Sequence, residues 1–135
     1  MLHKVFLKTC LLTTGENGAD EIRSECYGAC ITEGNDVMLR YAEPDNDGTA
    51  HLLITDGLAD LKRQGNTRSR LTFIEGKLQP CFYATSVGTL DLSIFTHSFS
   101  FEPTPQGGTF EVRYTVLVGG AQVSDNVLRI VYSFR

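Results

Sequence analysis

Glu43 and Arg63 are the residues whose placement most suggests chemistry. Along Val37, Leu39 and Tyr41 every second residue is apolar until Glu43 is reached, and the alternation Ala59-Leu61 likewise ends in Arg63. In an extended chain residues i, i+2 and i+4 share a face, so both charges are expected to face an interior. Burial of an acid and a base is tolerable only when the two are paired and hydrogen-bonded. Two readings follow. Arg63 anchors an anionic ligand group bidentately inside a cavity, or Glu43 and Arg63 form a structural pair that closes one end of the fold.

Tyr83, Thr85 and Thr89 gather around Gly88, where a kink is expected because glycine inside a strand often marks a bulge or a close backbone approach. Their hydroxyls could orient a ligand or satisfy backbone groups freed by the kink. His97 lies in the phase of Phe99 and Phe101 and is expected to point inward, either as a satisfied core residue or as a functional one. Glu43, Arg63, Tyr83, Thr85 and His97 form the candidate ligand-binding set. No catalytic or metal-ligating residue is expected, and no cofactor. The His, Cys and acidic residues show no ligand spacing, and the chain has no Gly-x-Ser-x-Gly elbow, phosphate-binding Gly loop or His-Glu-x-x-His.

Cys26 and Cys30 would suit a helix face, but in a strand four residues separate them by about 13 Å, too far for thiolates sharing one zinc at about 2.3 Å each. The four cysteines read as small buried apolar residues in a reducing compartment. Lys62, Arg63, Arg68 and Arg70 concentrate positive charge around one turn. That tip either contacts phosphate or an acidic partner or is a solvated hairpin surface, and an inward Arg63 would weaken it.

The elements that must hold these residues are strands. Nine clusters of turn formers, among them Gly15-Glu16-Asn17-Gly18, Pro44-Asp45-Asn46-Asp47-Gly48 and Gly119-Gly120, divide the chain into about ten segments. Gly, Asn and Asp accept the positive φ that tight hairpins require. Phe110, Val112, Tyr114, Val116 and Val118 share one face, and Leu128, Ile130 and Tyr132 share another. A change of phase between Ile94 and Phe99 predicts a β-bulge near Phe95-Thr96. A second is expected near Asp125-Asn126, because the Gly119-Gly120 hairpin would otherwise set Arg129 opposite Phe110. The segment Asp56 to Gly65 offers only Leu58 and Leu61 as a helical stripe and is assigned to strand. The expected fold is all-β: a single antiparallel up-and-down barrel of about 8–10 strands filling residues 1–135.

Composition bounds the rest. A chain of 135 residues can bury about two-thirds of its unfolded surface without a metal or disulfide staple. Charged residues are 21% and the net charge is −4, which gives no global reason to sit on nucleic acid or anionic lipid. Lys4 and Lys8 interrupt the apolar amino terminus, and no apolar run approaches the roughly 20 residues of a membrane span. A cytoplasmic protein is expected.

The ordered set Leu39-Arg40-Tyr41-Ala42-Glu43, Leu61-Lys62-Arg63-Gln64-Gly65, Leu71-Thr72-Phe73-Ile74-Glu75-Gly76, Tyr83-Ala84-Thr85-Ser86-Val87-Gly88-Thr89 and Asn126-Val127-Leu128-Arg129-Ile130 resembles the YwiB-like family of small bacterial proteins of unknown function. The resemblance implies a calycin-like β-barrel, the broad fold group of lipocalins and avidins, and implies no reaction. Tyr27 stands where the family usually has an acid, and Ser86 where it usually has proline. The expected function is a non-enzymatic barrel holding a small molecule. The alternative is a solidly packed structural or interaction protein, homodimeric through an outer face or edge strand.

Overall fold

The computed structural model describes residues 1–135. Ten strands follow in order: β1 (Leu2–Gly15), β2 (Gly18–Glu33), β3 (Asp36–Glu43), β4 (Gly48–Thr55), β5 (Leu58–Gln64), β6 (Arg68–Phe73), β7 (Leu78–Thr85), β8 (Gly88–Thr104), β9 (Gly107–Val118) and β10 (Ala121–Phe134). Each pairs antiparallel with its sequence neighbours, and β1 pairs with β10, so the sheet closes into an up-and-down barrel. The only helical element is the 3-10 turn Pro44–Asn46, and no helix is long and apolar enough to cross a membrane. The expected fold class holds, and Leu58–Gln64 is strand as assigned.

Two bulges bend the long strands. Thr96 pairs with Tyr114 and Ser98 with Arg113, which leaves His97 as the extra residue of β8. In β10 the register shifts between Gln122 and Ser124. The first bulge lies one residue beyond its expected position and the second lies before Asp125-Asn126. The second has the anticipated effect: Ile130 pairs with Phe110 and Arg129 with Glu111.

The strands are unequal, and this asymmetry makes the site. β2 and β8 run 16 and 17 residues, whereas β3 to β7 run six to eight. At the end that carries both chain termini, Val5, Leu7, Leu39, Leu52, Phe73, Phe110, Val112 and Ile130 are buried in one cluster, with Phe99 packed edge-on against Phe110 at 5.5 Å. At the opposite end the long strands overhang the short ones. Pairing of β2 with β3 stops at Gly28–Tyr41, so residues 18–27 of β2 are paired on one side only. The barrel is solid at one end and hollow at the other.

Candidate functional site

The register places one inward row across the short strands: Tyr41 beside Ala50, Ala50 beside Arg63, Arg63 beside Ser69, and Ser69 beside Tyr83. Tyr41, Arg63 and Tyr83 of this row line a cavity of about 380 Å³. Glu43 stands one step nearer the mouth on β3, and Arg63 Nε donates to both of its carboxylate oxygens at 3.0 and 3.1 Å. Both side chains are partly buried, with exposures of 31% for Arg63 and 18% for Glu43. Burial opposes the Arg63 charge, but the Glu43 contacts outweigh it and hold the guanidinium pKa above its ordinary value. The inward pair anticipated from the alternation is formed.

Tyr83 lines the cavity with Glu43 and Arg63. Thr85 does not. Its hydroxyl donates to Gly88 O at 3.1 Å and accepts from Val87 N–H at 3.2 Å, so it serves the β7–β8 turn. Thr89 is exposed beyond it. The inward orientation expected of His97 is corrected. As the bulge residue it leaves the phase of Phe99 and Phe101 and lies exposed on the outer wall. Its Nε2 is 2.7 Å from Thr115 Oγ1, which donates its single proton to Asp125 Oδ1 at 2.6 Å, so His97 is the donor to the threonine.

Sequence reasoning treated Tyr41 and Tyr114 as ordinary core residues. Both are more than nine-tenths buried as residues and line the cavity. The Ser69 hydroxyl, on a residue of 3% exposure, is buried without a partner. Asn126 joins the wall from β10, in phase with Leu128, and that phase was the available signal. The mouth is shaped by Asn46. Its Oδ1 accepts from Thr67 N–H at 2.8 Å and Thr67 Oγ1 at 2.9 Å, its Nδ2 donates to Thr67 O at 3.0 Å, and its carbonyl accepts from Asn66 N–H at 2.7 Å. These bonds fasten the β3–β4 turn to the β5–β6 turn.

Burial pushes the Tyr41 phenol up and the Tyr114 phenol up to about 12. An unfolded tyrosine ionises near pH ~10, so the folded state holds these protons more tightly. Their contribution is whole below pH ~10 and is lost as pH rises toward 12. Stability is expected to be insensitive to these groups at neutral pH and to fall above pH ~10 by about 1.4 kcal/mol per unit for each tyrosine. Urea melts from pH 8 to 11.5, with tyrosinate absorbance followed in parallel, would check this; a flat profile would refute it.

The basic tip is weaker than its composition suggests. Arg63 turns inward, and Arg70 is engaged by Asp60, with Nη2 2.8 Å from Oδ2. All four cysteines are free, with Cys30 and Cys81 buried and Cys10 and Cys26 half-buried. Burial raises the thiol pKa of Cys26, Cys30 and Cys81.

The fold is thus an antiparallel ten-strand up-and-down barrel with a packed base and a mostly apolar hollow above it. The chain belongs to the family described as a domain of unknown function, DUF1934, which matches residues 7–130. The fold is similar to the crystal structure of the ywiB protein from Bacillus subtilis, with a TM-score of 0.88 at 19% identity over 99% of this chain and 93% of that one. The YwiB-like resemblance seen in the sequence therefore holds. No curated protein matches.

Proposed function

We propose that the protein binds a small molecule in the hollow half of its barrel and performs no chemistry on it. The observation that supports this is a cavity of about 380 Å³ that brings the Glu43–Arg63 pair together with the Tyr41, Tyr83 and Tyr114 side chains over a mostly apolar lining. The volume falls within the range of ligand sites, about 300–1,000 Å³. Glu43, Arg63 and Tyr83 are the proposed contacts. Four free cysteines fit a reducing compartment, and we place the protein in the cytoplasm.

A second reading, an interaction module that pairs with another copy of itself, is favoured by the one-sided pairing of β2 over residues 18–27. A free edge is a template for another strand. A two-fold axis at Ile22 would set Glu21 of one copy opposite Arg23 of the other. Native mass spectrometry after gentle purification separates the readings. A monomer carrying a retained small molecule is the expected result. A bare dimer would favour the second reading, and a bare monomer that shows no thermal shift against a broad metabolite panel would refute both.

A further inference from the structure

We infer that the polar head of the ligand is uncharged and presents a carbonyl beside an N–H, as a lactam or primary amide does. This rests on the cavity reading above and narrows it against the anionic group that Arg63 alone would suggest.

The charge around the cavity argues against an anion. Glu43 already takes the Arg63 Nε through both carboxylate oxygens. Asp45 also lines the mouth, so the lining carries two acids and one base. A carboxylate or phosphate entering there would face net negative charge in a partly buried site, where like charges are poorly screened. Burying an ion without a free counter-charge is the costly case.

The hydrogen-bonding pattern specifies what does fit. The Arg63 Nη nitrogens make no protein hydrogen bond, because Glu43 engages the Nε side. They are donors, and the Glu43 oxygens beside them keep lone pairs free to accept. A donor next to an acceptor is complementary to a carbonyl next to an N–H, and that pairing buries no new charge. The hydroxyls of Tyr41, Tyr83 and Tyr114 can donate or accept around the same head. Below it, Leu61, Leu71, Leu92, Ile94 and Leu128 offer an apolar bed for a ring or a short alkyl body.

The test uses matched probes on the intact protein by titration calorimetry at pH 7: 2-quinolinone, 4-butylbenzamide and 4-butylbenzoate. The lactam and the amide are expected to bind, with the benzoate weaker by at least about tenfold. Glu43→Gln frees the Arg63 charge and should reverse the order, raising benzoate affinity by at least about tenfold. Benzoate binding to the wild type as tightly as the amide would overturn the inference and leave the cavity reading standing. Failure of all three probes to bind would overturn it too, and the native mass spectrum would then show whether the cavity reading falls with it. If Glu43→Gln does not fold, the wild-type comparison alone decides.

Discussion

Truncating Phe110 to alanine is expected to lower the unfolding free energy by about 3–5 kcal/mol, whereas truncating Leu92 should remove only about 1–2 kcal/mol. Phe110 is fully buried in the solid end, edge-on to Phe99 at 5.5 Å and part of the buried apolar cluster. Removing its ring leaves a hole that neighbours cannot close, so the lost transfer energy is joined by a cavity term. Leu92 is half-buried and already borders empty space. Its truncation enlarges an existing hollow and sacrifices fewer contacts. Urea denaturation of both variants measures the contrast. Equal losses at the two sites would mean that the upper half is packed as densely as the lower, and the cavity reading would lose its foundation.

That contrast also marks the limit of what the sequence could show. The strands were legible because alternation and turn chemistry are local. Phe110 to Val116 alternates apolar and polar residues, and Gly119-Gly120 follows soon after with φ of 57° and 84°. The Glu43–Arg63 pair was legible for the same reason, since each charge ends an alternating run whose direction is set by its own neighbours. The hollow was not legible. It arises because β2 and β8 outrun β3 to β7 once the barrel closes, and closure involves every strand together.

His97 shows how narrow the margin is. Ile94 and Phe99 both face inward, so one residue between them must be absorbed, and the sequence alone does not say which. Placing the bulge one residue early turns His97 inward, while the observed bulge turns it out to Thr115. A period-two pattern reverses with every single-residue slip. Tyr41 and Tyr114 illustrate a different limit. Their phase was read correctly, but whether an inward tyrosine packs in the core or lines a hollow depends on residues from across the barrel. Asn46 was visible only as part of a turn cluster, because its partner Thr67 is 21 positions away.

Gly48→Ala is expected to cost about 3 kcal/mol or more and to loosen the mouth of the cavity. Gly48 has no left-handed φ, so backbone freedom is not what the position requires. It requires close approach, since a Cβ there would overlap the carbonyl of Gln64 and stand 2.6 Å from Gly65 Cα. Those are backbone atoms and cannot swing aside. Gly65 meets the same constraint from the other side, because a Cβ on it would overlap the carbonyl of Asn46. The two turns thus lie against each other backbone to backbone, and the Asn46 bonds to Thr67 and Asn66 depend on that contact. A methyl at position 48 must part β4 from β5 where Thr49 meets Gln64, and Glu43, the register partner of Gly48, moves with it. Gly34→Ala is the control. It sits in the β2–β3 turn at the solid end, where φ is 61° and a Cβ meets nothing within 4 Å, so it should cost only the left-handed strain of about 1–2 kcal/mol. Denaturant midpoints of the two variants, with hydrogen exchange at the Asn66 and Thr67 amides, measure the difference. Loss of protection at those amides in Gly48→Ala but not in Gly34→Ala is the expected result. Equal destabilisation with both amides still protected would show that the mouth does not depend on this contact, and that Glu43 is held in place by its bond to Arg63 alone.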